Sequence, residues 1–166
     1  MRVRKESNVV LLGGLELALR LADERDMGFC YELMSHNMRD LFDRNIQGKW
    51  SRAKFKSGFK PDRITIIEHE NMPVGFFDYE LVGDDIYCHN IQLSEDYQNG
   101  VGTQIIGLIE QVARDRGAKA IIGKVFSENS KMTNWLQRYG YKLDKKIEQE
   151  NSYWVRRDLG GHNEIL

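Results

Sequence analysis

The order of elements in this sequence predicts an α/β domain of the α+β type, with one mixed, mostly antiparallel sheet of about seven strands and helices on both faces. Two observations carry that prediction. In the first half, apolar runs are separated by turn residues, Glu70-Asn-Met-Pro73 and Gly83-Asp-Asp85, the mark of an antiparallel meander. In the middle, a strand, an amphipathic helix and a second apolar strand follow one another between Ile86 and Phe126. Such a unit sets two strands parallel inside the sheet.

Each element has a local reason. Leu15 to Arg20 alternates as a first strand, and Asp23 is placed to cap a helix, with Asp26 adding negative charge in its first turn. Met27, Cys30, Tyr31, Met34 and Met38 form the stripe of that helix. A shorter helix is expected over Trp50 to Phe59. Strands follow at Arg63 to Glu70, Val74 to Val82 and Ile86 to Leu93, the last with Tyr87, His89, Ile91 and Leu93 on one face. Val101 to Arg116 is a helix with Ile105, Leu108, Ile109, Val112 and Ala113 inward, stopped by Gly117. Ala120 to Phe126 reads as a strand buried on both faces. Ser130 to Tyr139 is a helix ending at Gly140, and Tyr141 to Gln149 and Ser152 to Asp158 are two last strands. The domain spans 15–158, and 159–166 is a tail. Residues 1–14 read either as an extra strand or as an added extension.

Length and composition fit one domain with its own core: 166 residues, 41% hydrophobic, with 24 Lys+Arg against 25 Asp+Glu. A net charge of -1 gives no global attraction for nucleic acid or acidic lipid. The longest uncharged run, Tyr97 to Ile109, is shorter than the roughly 20 apolar residues of a membrane span and contains Gln, Asn, Thr and Gly. Cys30 and Cys88 lie in apolar segments with no metal or redox spacing, and read as small buried hydrophobes. The basic start and Val9-Val-Leu-Leu12 loosely suggest a secretory signal, but Glu16 and Arg20 interrupt it and no cleavage site follows. A cytoplasmic protein is expected.

The most informative stretch is Tyr97-Gln-Asn-Gly-Val-Gly-Thr103, between a strand and a helix. Glycine there permits a tight turn and close approach of a ligand, and the N–H groups and dipole of the first helical turn attract phosphate. A dinucleotide fingerprint would need Gly where Ile105 stands. A P-loop needs Gly-Lys-Ser/Thr, and neither Gly48-Lys49-Trp50 nor Gly123-Lys124-Val125 supplies the hydroxyl. Both are rejected.

Ile91-Gln-Leu93, the glycine stretch, an apolar helix, then Asn129-Ser-Lys-Met132 and Tyr139-Gly-Tyr141 together resemble the GNAT superfamily of N-acetyltransferases, from about Leu15 to Asp158. The family pattern is Gln/Arg-x-x-Gly-x-Gly/Ala after a strand, then Asn-x-x-Ala, then an aromatic beside a glycine. This chain departs from it in three places. One residue rather than two separates Gln98 from Gly100, Met132 replaces the small residue, and Leu136 stands where many members place a proton-donating Tyr.

The resemblance implies acetyl-CoA as co-substrate, no metal, and direct transfer of the acetyl group to a primary amine. It places the pyrophosphate on Gln98, Asn99, Gly100, Val101, Gly102 and Thr103. The oxyanion donor falls near Leu93, with Ile91 along the pantetheine arm and Asn129 on the coenzyme. The amine must lose a proton and the thiolate must gain one. Tyr139 is the candidate acid, three residues beyond Leu136. Asp85 is the candidate base, with Glu80 and His89 as further titratable groups on the central strands. As a cap, Asn129 has a structural role too. Lys49, Arg52, Lys54, Lys56, Lys60 and Arg63, interleaved with Trp50, Phe55 and Phe59, read as a solvated helix face in preference to a nucleic-acid patch, and as a border of the acceptor pocket whose charge favours an acidic acceptor. The acceptor is a small-molecule amine or a peptide N-terminus or lysine, with neither nucleic acid nor membrane as partner. A homodimer through the final strands is expected. The rival reading from another class is a non-catalytic CoA-binding module.

Overall fold

The computed structural model describes residues 8–12, 14–45 and 50–160. Among the described residues eight strands form one sheet: β1 (Asn8–Leu12), β2 (Leu15–Leu21), β3 (Ile64–His69), β4 (Met72–Val82), β5 (Asp85–Leu93), β6 (Ala120–Phe126), β7 (Lys142–Ile147) and β8 (Ser152–Asp158). The helices are α1 (Met27–Asn45), α2 (Arg52–Gly58), α3 (Glu95–Asp115) and α4 (Ser130–Arg138). The sheet order is β1-β2-β3-β4-β5-β6-β8-β7, and only the β5–β6 pair is parallel.

The mixed sheet is the expected one with a strand added. That strand is β1, which runs antiparallel to β2 from Asn8↔Leu19 to Leu12↔Leu15. Residues 1–7 lie outside the described residues. The tail begins inside the fold, since Leu159 is buried, its N–H donates to the Lys119 carbonyl at 2.9 Å and its carbonyl accepts from Arg114 at 2.8 Å.

The sheet pleat sorts its side chains into two cores. Ile67, Phe77, Ile86 and Leu93 pack with Ile105, Ile109 and Leu136 on one face, and Ile64, Ile66 and Phe76 pack with Cys30 and Leu33 on the other. Along α3, Val101, Ile105, Ile106, Ile109 and Ala113 are buried at helical spacing. Each Ile or Val contributes about 1.5–3 kcal/mol by leaving water, which is what docks this helix across the crossover.

Local details differ from the sequence reading. Asp23 caps a short 3-10 turn, Glu24–Asp26, that runs into α1, and Asp26 is buried and gripped through both oxygens by Arg20 at 2.7 Å. On α1 the buried positions are Cys30, Leu33, Ser35 and Phe42. The predicted stripe is displaced because Trp50 covers the flank, stacking on Tyr31 with centroids 5.5 Å apart and donating to Ser35 Oγ at 2.7 Å.

Candidate active site

The parallel pair sets the site. β5 and β6 are in register only at Asp85↔Ala120, Ile86↔Ile121 and Tyr87↔Ile122. Beyond that point β5 stays with β4 as far as Leu93, and β6 stays with β8 as far as Phe126. A wedge therefore opens between two neighbouring strands, edged by the main chain of Cys88–Leu93 and Gly123–Phe126. At its vertex Gly123 is needed for close approach, because a Cβ there would lie 3.1 Å from the Cys88 carbonyl oxygen.

The glycine loop stands at the mouth of the wedge. Helix α3 begins one turn before the glycines, at Glu95, and breaks at Asn99 (φ -88°, ψ 116°) and Gly100 (φ 95°, ψ -24°). It restarts at Val101, so a second set of first-turn N–H groups is presented beside Leu93. Left-handed backbone of this kind favours glycine at position 100. No atom lies within 4 Å of a Cβ placed there, so the backbone conformation and not space selects the residue.

Polar side chains pin this region. The Leu93 carbonyl accepts from Gln98 Nε2 at 3.1 Å and from Asn37 Nδ2 at 3.0 Å. Asn37 also donates to Gln92 Oε1 at 3.0 Å, and Gln92 donates to Asn90 Oδ1 at 2.8 Å. Tyr97 Oη is hydrogen-bonded to His69 Nδ1 at 2.7 Å, with the rings edge to face, which ties the loop to the end of β3. Asn129 caps α4 by accepting from the Met132 N–H at 3.3 Å, just past the end of β6.

On the α1 and α2 side a cleft of about 220 Å³ is lined by Lys54, Phe55, Phe59, Lys60, Asp78 and Asn90, among others. Asp78 is buried and held through both oxygens by Arg63, at 2.7 and 2.9 Å. Next to it, His89 Nε2 donates to Glu80 Oε1 at 2.7 Å, and Arg63 approaches the same oxygen at 3.4 Å. The His89 hydrogen bond, opposed by burial and helped by Arg63, holds Glu80 below the usual carboxylate range.

The predicted site residues divide. Residues 98–103, Ile91 and Leu93 gather at the wedge, and Thr103 Oγ1 lies 3.3 Å from Tyr139 Oη. Tyr139 closes α4, half exposed, with its carbonyl accepting from Arg157 at 2.5 Å and its ring beside Trp135. Leu136 is buried in the core. Asp85 is not brought to this group. It starts β5, eight residues and about 26 Å of strand before Leu93, and pairs with Arg156 at 3.3 Å.

The single face expected for Tyr87, His89, Ile91 and Leu93 is also corrected. A bulge in β5 pairs Asp78 with Asn90 and Tyr79 with Cys88, leaving His89 as the extra residue. Cys88, Ile91 and Leu93 then pack on the α3 core, and Asn90 lines the opposite cleft. In the basic stretch, Lys49 lies outside the described residues. Arg52 pairs with Glu32 and Arg63 with Asp78, and Trp50, Phe55 and Phe59 stack on one another or on α1, so no row of open rings faces solvent. Sequence reasoning missed Asn37, Asp78, Asn90 and Gln92. The available signal was polar residues within apolar-periodic segments.

A sheet split between two parallel strands, with a glycine-broken helix at its mouth, offers unpaired main chain and first-turn N–H groups to a phosphate-bearing ligand. A family model described as the acetyltransferase (GNAT) family matches residues 30–141, and the chain belongs to that family, whose members are acetyl-CoA-dependent N-acetyltransferases. Solved structures agree on the fold. A GNAT-family acetyltransferase from Listeria monocytogenes is 19% identical, covering 91% of this chain and 99% of its own, with a TM-score of 0.64. The ribosomal-protein-S18-alanine N-acetyltransferase of Escherichia coli is 16% identical over 90% of this chain and 98% of its own, TM-score 0.66. The PaiA N-acetyltransferase of Thermoplasma acidophilum, solved in complex with coenzyme A, is 10% identical over 87% and 99%, TM-score 0.69. A search of curated protein sequences finds no match.

Proposed function

We propose that the protein transfers the acetyl group of acetyl-CoA to the primary amine of an acceptor by direct attack. The wedge between β5 and β6 carries this reading, because it offers unpaired main chain beside a glycine-broken helix. The pyrophosphate rests on the backbone of residues 98–103, and the pantetheine arm runs along Ile91 and Leu93, with Asn129 beside the coenzyme. Main-chain N–H groups near Leu93 stabilise the oxyanion that develops on the thioester carbonyl. His89, oriented by Glu80 at the bulge, takes the proton of the acceptor ammonium. Tyr139 gives a proton to the departing thiolate. Asp85 has no part in this scheme.

Direct attack is favoured over an acyl-cysteine route by the thiols. Burial pushes Cys88, at the vertex of the wedge, up to about 12, so it stays protonated and a poor nucleophile. The acceptor is a small amine or a peptide amine, the latter being what the name of the Escherichia coli relative describes. No helix among the described residues is long and apolar enough to cross a membrane, and two free cysteines support a cytoplasmic protein. A dimer across the final strands gains no support from β7, because Lys142, Lys145 and Lys146 crowd that edge.

The test is thiol release from acetyl-CoA with a panel of primary amines, together with calorimetric binding of acetyl-CoA and CoA. Release that depends on the amine, with the acetylated amine recovered, is the expected result. Binding without release by any amine would leave a coenzyme-binding module in place of an enzyme.

A further inference from the structure

Resting on that reading, we infer that the acceptor is an amino-acid-sized primary amine that also carries an anionic group, a carboxylate or a phosphate. The cleft on the α1 and α2 side has two chemically different ends. Its floor holds Asn90 and the Asp78 carboxylate, the latter already satisfied by Arg63. Asn90 belongs to β5, next to the bulge and on the edge of the wedge, so this end adjoins the main chain on which the proposed function lays the pantetheine arm.

The outer end holds Lys54 and Lys60, both exposed, with no ion-pair partner for either ammonium among the described residues. Other basic residues nearby are committed: Arg52 to Glu32, and Arg63 to Asp78 and Glu80. The wall between the two ends is made by Phe55 and Phe59, whose rings touch at a tilt with centroids 5.8 Å apart. Amine at the floor, a short apolar body against the two rings and an anion at the two lysines is therefore the complementary ligand.

Size sets the scale of that ligand. At ~30 Å³ per water, 220 Å³ is the space of about seven waters, which suits a small molecule of amino-acid dimensions. An uncharged amine of equal size would leave both exposed ammonium groups to water and gain nothing from them.

The experiment pairs each acid with its own carboxamide, such as β-alanine with β-alaninamide and 4-aminobutyrate with 4-aminobutyramide. Thiol release measures turnover, and calorimetry on the CoA-loaded full-length protein measures binding. Each acid should exceed its amide by about tenfold in kcat/KM and in affinity, as a charge-assisted contact implies. Lys54→Met with Lys60→Met should remove that preference through KM and the binding constant. Lys56→Met, exposed on the same helix but outside the cleft lining, should keep it.

Equal use of acid and amide, or a preference that survives the double substitution, overturns the inference and leaves acetyl transfer standing. Lysine-dependent binding of acids without thiol release upholds the pocket and overturns acetyl transfer to these amines. Neither binding nor release by any member overturns the inference, and acetyl transfer then stands or falls on the wider amine panel and on acetyl-CoA binding.

Discussion

Replacing Gly100 by alanine isolates the backbone argument from every other effect. Gly100 has φ 95° and nothing within 4 Å of the new Cβ, so the methyl group clashes with no neighbour. Its cost is the left-handed conformation, about 1–2 kcal/mol for a residue with a side chain. If the loop holds its shape, that cost appears as stability, about 2–4 °C in Tm per kcal/mol for a domain of this size. If the loop relaxes into continuous helix, stability is kept. The same 1–2 kcal/mol then appears as an acetyl-CoA affinity weaker by about 5- to 30-fold. Gly107 supplies the control, being exposed inside regular α3 with open space around it. Gly107→Ala should stabilise the helix by about 0.5–1 kcal/mol and leave affinity alone. Thermal denaturation and calorimetry on both variants read the two quantities separately. A Gly100→Ala protein unchanged in Tm and in affinity, or one that moves in the same direction as Gly107→Ala, would refute the reasoning.

Four further outcomes follow from the site. Tyr139→Phe should lower turnover about a hundredfold at unchanged acetyl-CoA affinity if the phenol protonates the thiolate. A loss confined to affinity would instead make Tyr139, with Thr103 3.3 Å away, a holder of the coenzyme phosphates. Tyr97→Phe removes the 2.7 Å hydrogen bond to His69, worth about 0.5–1.5 kcal/mol, and should weaken CoA binding two- to tenfold, with His69→Gln on top adding little. His89→Gln should lower turnover about a hundredfold where Asp85→Asn does not; turnover kept in His89→Gln excludes it as the base. Glu80, held below its ordinary value, contributes stability that is complete above about pH 4.3 and declines as pH falls through its folded value.

Much of the fold was legible because its signals are local. The turn at Glu70-Asn71 has both residues at positive φ, and Gly83, Gly117 and Gly140 sit at positive φ where chain reversals or helix ends were read. The α3 stripe was legible for the same reason, since Ile105, Ile109 and Ala113 repeat at the helical period and are buried. The displaced stripe on α1 was not, because the cover over its flank comes from Trp50, whose side chain has no sequence neighbour there. The turn of helix before the glycines was hidden as well. Glu95–Gln98 has no apolar stripe of its own, and what anchors it is Gln98 reaching back to Leu93 and Tyr97 reaching across to His69.

The candidate site residues on β5 were obscured by one inserted residue. Strict alternation along β5 places His89 with Ile91 and Leu93 and gives Asn90 no special role. The bulge opposite Asp78 and Tyr79 shifts that alternation by one, so that Ile91 and Leu93 turn to the α3 core while Asn90 faces the cleft. Asp85 stood out as a carboxylate on a central strand, but it lies at the paired end of β5, where that strand is still bonded to β6. The proposed coenzyme site lies at the unpaired end. What decides the position of that end is where β5 stays with β4 and β6 with β8, a property of the assembled sheet with no local signature in either strand.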